Sequence, residues 1–132
     1  MGMGRGIFYC SLTKQKLNTQ SSTKAELVAV DDGLPGILWT VNFMRAQGYK
    51  LEEVVVMQDN QSAMMLETQG KASSSRRMRH LDIRYFFIKD KVEKKEVVIK
   101  YEPTEAMVSD FMTKPLQGAL FQKFRDRILG ID

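Results

Sequence analysis

The sequence holds a single cysteine, Cys10, and a single histidine, His80, among 132 residues. A lone cysteine excludes an internal disulfide and a multi-cysteine zinc site, and it fits a reducing, intracellular setting. A lone histidine excludes a histidine-rich metal centre within one chain. Any metal here needs carboxylate ligands, the donor set of hard ions such as Mg2+ or Mn2+. No apolar run reaches the roughly 20 residues of a membrane-spanning helix, so no membrane partner is expected. The opening Met1–Gly6 stretch has no apolar leader, and Gly6 stands where a myristoylation signal needs Ser or Thr. There is no Gly-rich phosphate loop and no Ser/His pairing, and Cys10 has no local partner, so covalent catalysis lacks an obvious nucleophile.

What is present suits a globular domain. The length predicts one domain over 1–132, the hydrophobic fraction is 43% and the charged fraction 27%. A net charge of +4 gives a mild bias toward polyanions. Residues 1–6 are expected to be loose. Ile7–Leu12 reads as a strand, with Leu17–Ser21 as its more polar hairpin partner. Thr23-Lys24-Ala25-Glu26 fits a capping box opening a helix. Asp31–Gly36, with Pro35 inside it, is expected to kink or split that helix before it resumes to about Gly48. Val54-Val55-Val56-Met57 reads as a buried strand. A short helix follows over 62–68, then a Ser-rich loop, then a long helix from about Arg79 to Lys94 with Leu81, Tyr85, Ile88 and Val92 on one stripe. Val97–Tyr101 is a further strand. One helix is expected from Thr104 to Thr113 and another from Gln117 to Leu129. Trp39 and the nine methionines are most simply core residues. The order is mixed α/β.

Three acids stand out by position. Asp59 ends the valine strand, where open α/β sheets gather ligands, although it is also placed to cap the next helix. Glu26 lies in the first turn of the helix after the hairpin, where a capping box would equally explain it. Asp110 sits between Val108 and Phe111, and a solvated helix residue is the simpler account of it alone. Together, acids from separate elements can hold two divalent ions that activate a water and stabilise the leaving oxygen of a phosphodiester.

Four segments carry a resemblance. Ser21-Ser22-Thr23-Lys24-Ala25-Glu26-Leu27 resembles S-S-T-x-A-E-x. Gln58-Asp59-Asn60-Gln61-Ser62-Ala63 resembles D-N-x-S-A. Arg79-His80-Leu81-Asp82-Ile83-Arg84-Tyr85 resembles K/R-H-I-D-I-R-Y. Tyr101-Glu102-Pro103-Thr104, followed by Ser109-Asp110-Phe111-Met112-Thr113-Lys114-Pro115-Leu116, resembles Y-x-P-T and A-D-x-x-T-K-P-L. In this order, from about Ile7 to the C-terminus, they resemble the ribonuclease H domain of copia-type LTR-retrotransposon polyproteins. The resemblance implies a ribonuclease H-like fold, a mixed sheet with helices on both faces. It implies hydrolysis of the RNA strand of RNA–DNA hybrids with Mg2+ or Mn2+, and Glu26, Asp59 and Asp110 as catalytic metal ligands. An upstream reverse transcriptase domain is an implied partner.

The family also places an Asp on an opening strand that has no counterpart here, since no Asp or Glu precedes Glu26. The expected domain is therefore truncated at that strand, with weak or absent cleavage, because two cations lose a bridging carboxylate. The exposed sheet edge then left behind is expected to recruit a strand or a second copy. Lys71, Arg76, Arg77 and Arg79 are candidates for gripping a nucleic-acid backbone, although a solvated loop explains them too. His80 and Arg84 are candidate substrate or accessory residues. Two non-catalytic alternatives stay open: a nucleic-acid-binding remnant, and a module that docks partners on its sheet edge.

Overall fold

Ser21 turns the chain into its longest helix. Its backbone is extended and its Oγ accepts the Lys24 N–H at 3.3 Å, the arrangement of an N-cap. Helix α1 then runs without a break from Ser22 to Ala46. Two expectations are corrected here. The cap is Ser21 rather than Thr23, so the reciprocal place of a capping box falls on Lys24, whose ammonium cannot accept a backbone N–H. Glu26 stands two residues beyond that reciprocal place, past the first turn. Nor does Pro35 split the helix. Leu34 beside it is fully buried and packs with Leu27, Ile88 and Val97, and this packing outweighs the donor that proline removes.

The structure, a computed structural model, describes residues 1–16, 21–69 and 79–131, and the side chains of 66–69, 79–82 and 85 are outside that description. The chain forms two compact units, Leu17–Glu102 and a second made of Met1–Lys16 with Pro103–Asp132.

In the first unit, β3 (Val55–Gln58) pairs in parallel with β4 (Val98–Tyr101), in the register Val55↔Val98 to Gln58↔Tyr101. Parallel neighbours need a crossover, and helices α2 (Gln61–Gln69) and α3 (Arg79–Glu93) supply it. The apolar core lies between α1, α3 and this sheet. Leu27, Leu34, Ile88 and Val97 form its centre, with Val54, Val56, Phe87 and Val92 packed around it. Of the predicted α3 stripe, Ile88 and Val92 face this core, the side chains of Leu81 and Tyr85 lie outside the description, and Phe86 faces solvent. Trp39 is not core: it is 68% exposed and stacks on Phe43 with ring centroids 5.4 Å apart. At 3.6 residues per turn, both rings fall on the side of α1 opposite the Leu27–Leu34–Val41 stripe. The methionines are not core filler as a class either. Met107 is buried, while Met57, Met65 and Met112 are exposed.

In the second unit, β1 (Gly2–Met3) pairs antiparallel with β2 (Gly6–Ile7) across a turn in which Gly4 takes φ +60°. The expected strand over Ile7–Leu12 stops at Ile7. Phe8 and Tyr9 donate their N–H groups to the Met1 carbonyl, and the Met1 ammonium donates to the Tyr9 carbonyl at 2.6 Å. Its expected partner, Leu17–Ser21, falls mostly on residues outside the description. The predicted 104–113 helix is two pieces, a 3-10 turn at Thr104–Ala106 and helix α4 at Asp110–Thr113. Helix α5 (Gly118–Leu129) buries Phe124 and ends at Gly130 in the left-handed region. The described residues thus make a mixed α/β protein with five α-helices and two small sheets. No described helix is long and apolar enough to cross a membrane.

Candidate functional site

The valine strand places Asp59, and a buried amide holds it there. Gln58, the last residue of β3, is 2% exposed. A polar side chain at that depth requires partners. Its Oε1 accepts the Asn60 N–H at 3.1 Å, and its carbonyl accepts the Glu102 N–H at 3.0 Å. Asn60 in turn caps α2, its Oδ1 accepting the Ala63 N–H at 3.0 Å. Asp59 is therefore fixed between two anchored neighbours at the carboxyl end of β3. The sequence left Asp59 open to a capping role, and the structure gives that role to Asn60.

Glu26 reaches the same place from α1. Ser22 and Glu26, four residues apart, share one helix face, and both line an open cleft of about 560 Å³. Asp59, Asn60, Gln61 and Ser62 form another part of its wall, and Tyr101 at the end of β4 completes the lining. The wall thus carries two carboxylates, two amides, two hydroxyls and a phenol, with no cationic side chain among the described residues that line it. Glu26 and Asp59 supply hard carboxylate oxygens, the donor type that Mg2+ or Mn2+ takes.

Asp110 belongs to the second unit. It is the first residue of α4 rather than a mid-helix residue, its side chain is 13% exposed, and Lys114 donates to its Oδ2 at 2.7 Å. Among the described residues, no group of three or more His, Cys, Asp or Glu side chains is gathered as a metal site.

Arg84 is engaged within the first unit. Its Nη1 donates to Asp31 Oδ2 and to Asp32 Oδ1, each at 2.7 Å, tying α3 to α1. Burial pushes the Asp31 carboxyl up, the guanidinium draws it back, and the neighbouring Asp32 pushes it up again, with a net upward direction. The guanidinium itself is held charged above its usual range, first by its hydrogen bond to Asp32. Arg79 and His80 open α3, and their side chains lie outside the description, as do Lys71, Arg76 and Arg77. Reading the sequence missed Tyr101 as part of the site. The signal that could have found it is strand register: Tyr101 ends β4 opposite Gln58, one residue before Asp59.

Comparison with known proteins adds a family context. The chain is 31% identical over 119 residues, 89% of its length, to the retrovirus-related Pol polyprotein from transposon RE1 of Arabidopsis thaliana. It is 30% identical over 119 residues to the corresponding polyprotein from transposon RE2 of the same plant. It is 26% identical over 114 residues, 86% of its length, to that from transposon TNT 1-94 of Nicotiana tabacum. In each case it spans 8% of the relative's length, so the likeness is to a short segment of a much longer protein. No family model matches the chain, and no solved structure gives a significant match.

Proposed function

We propose that this chain is a ribonuclease H-like segment of a copia-type retrotransposon Pol polyprotein. Its cleft would serve divalent-metal-dependent hydrolysis of the RNA strand in an RNA–DNA hybrid. The observation that carries the proposal is that Glu26 and Asp59, 33 positions apart in sequence, line one open polar cleft. The four ordered motifs and the likeness to transposon Pol polyproteins support it.

In this reading, Glu26 and Asp59 hold Mg2+ or Mn2+, and a ligand role for Asp110 rests on the motif resemblance alone. When bound, the ions would activate the attacking water and stabilise the leaving oxygen. The chain's own contribution is placement. Gln58 and Asn60 fix the Asp59 backbone, and α1 presents Glu26 from a rigid helix face, so the carboxylates need little reorganisation as charge develops. Lys71, Arg76, Arg77 and Arg79 would hold the hybrid's phosphates by sequence-independent, salt-sensitive contacts.

The test is incubation of the full chain with a hybrid labelled on its RNA strand, with Mg2+ or Mn2+. Slow cleavage of the RNA strand alone is expected, reduced on the order of a hundredfold or more by Asp59→Asn, by Glu26→Gln and by Asp110→Asn. Cleavage that survives Asp59→Asn together with Glu26→Gln would refute the assignment. Salt-dependent hybrid binding with no cleavage would leave the nucleic-acid-binding alternative, and neither binding nor cleavage would remove both.

A further inference from the structure

We infer that Arg5, Lys123 and Arg127, all in the second unit, form a basic patch that holds a nucleic-acid duplex by its phosphates. The inference needs neither the cleft nor cleavage, and it uses cations that the motif comparison gave no role. Two pieces of chain build the patch. Lys123 and Arg127 stand four residues apart on α5, so they share a helix face, and both are exposed. The N-terminal hairpin adds Arg5, also exposed. Its backbone lies against the end of α5: a Cβ on Gly130 would come within 3.1 Å of the Arg5 carbonyl oxygen, and one on Gly6 within 3.8 Å of the Ile128 carbonyl oxygen. Arg127 stands in the last turn of α5, beside that contact.

The charge pattern separates this patch from an ordinary solvated surface. The second unit has seven Lys or Arg against four Asp or Glu, and so holds +3 of the chain's net +4. Within it, Asp110 is taken by Lys114 and Asp126 by Arg125. Among the described residues, no carboxylate pairs with Arg5, Lys123 or Arg127. The first unit is the contrast: Lys89, Lys94 and Lys100 pair with Glu93, Asp90 and Glu53. Helix polarity accounts for one of the three cations, since Arg127 offsets the carbonyls at the end of α5. It does not account for Lys123 in mid-helix or for Arg5 outside the helix. A duplex presents one negative charge per about 1.7 Å of its axis, so cations gathered at one helix end meet phosphates in any register. Guanidinium groups grip phosphate oxygens in pairs, and the bases stay paired and stacked throughout. A lipid surface would draw on apolar residues beside the cations, but the α5 phenylalanines are engaged within the unit: Phe124 is buried, and the Phe121 ring lies 5.2 Å from that of Phe111. Leu129 and Ile131 are exposed, so anionic vesicles serve as the second probe.

The experiment measures binding of the full chain to a short fluorescein-labelled RNA–DNA hybrid over a range of KCl, in EDTA so that no cleavage occurs. The triple variant Arg5→Gln, Lys123→Gln, Arg127→Gln is compared with Lys89→Gln, Lys94→Gln, Lys100→Gln, which removes the same charge from paired positions. The slope of log K against log salt should flatten by roughly 2–3 in the first triple and hardly move in the second, because each phosphate contact contributes about 0.7–0.9. Arg5→Lys with Arg127→Lys should keep the wild-type slope, which separates lost contacts from lost structure. No flattening in the first triple would overturn the inference, and so would equal flattening in both, which would be the effect of net charge alone. Binding to phosphatidylserine vesicles with none to the hybrid would overturn it too. A chain that binds through the patch yet never cleaves in Mg2+ keeps this inference and removes the nuclease reading. Cleavage with wild-type affinity and slope in the first triple does the reverse.

Discussion

Replacing Arg84 with Met removes the cation that joins α1 to α3 and leaves two adjacent carboxylates facing its place. The three side chains differ in burial: Arg84 is 24% exposed, Asp31 17% and Asp32 60%. An exposed ion pair is worth about 0.2–1 kcal/mol, and stripping the partner from a fully buried charge costs about 3–5 kcal/mol. The Asp32 arm belongs with the first class, and the Asp31 arm lies between the two. The expected loss in Arg84→Met is therefore about 2 kcal/mol, roughly 6–10 °C in Tm for a protein of this size. Its pH dependence follows from the raised Asp31 carboxyl. The native state keeps the Asp31 proton to higher pH than the unfolded chain does, so ionisation of Asp31 works against folding. The favourable contribution is fully present below the ordinary carboxylate range and is lost as pH rises through the raised native value. Without the guanidinium that value rises further, so the deficit of Arg84→Met should shrink in acid and widen toward neutral pH. Urea unfolding of Arg84→Met, Asp31→Asn and the double variant measures this, and Asp31→Asn should recover about half of the Arg84→Met loss. A deficit below about 0.5 kcal/mol at neutral pH would show that the clamp is a surface pair of no consequence. So would a deficit independent of pH. Arg84→Met that keeps full stability yet loses hybrid binding would return Arg84 to the substrate role its motif suggests.

Asn60→Ala deletes the α2 cap and is expected to cost about 1 kcal/mol, with Asp59 less firmly held. Asn60→Asp should restore the stability, and unfolding curves with hybrid cleavage rates check both effects. Gly130→Ala should cost about 1–2 kcal/mol, because Gly130 has φ +70° and an added Cβ would come within 3.1 Å of the Arg5 carbonyl oxygen. An unchanged melting curve would mean that the α5 end is free to rearrange.

Local sequence carried much of the pattern, because helices and strands answer to neighbours a few residues away. The valine run, Asn60 after Asp59, the Ile88–Val92 stripe and the Gln117–Leu129 helix are all legible by period and turn chemistry. What local sequence could not settle were choices between near-equal options. Ser21 and Thr23 are both good caps, and the register of α1 against its core selects Ser21. Pro35 weakens any isolated helix, yet Leu34 and Leu27 are packed on one core, and burial keeps α1 continuous through it. Trp39 is apolar enough for the interior, but its place on the helix wheel turns it outward. The cleft itself is wholly tertiary. Glu26 and Asp59 are individually ordinary acids in the sequence, and the parallel β3–β4 register with the packing of α1 puts them and Tyr101 around one opening. Side-chain periodicity is a property of a few consecutive residues, whereas convergence depends on contacts between segments far apart in the chain.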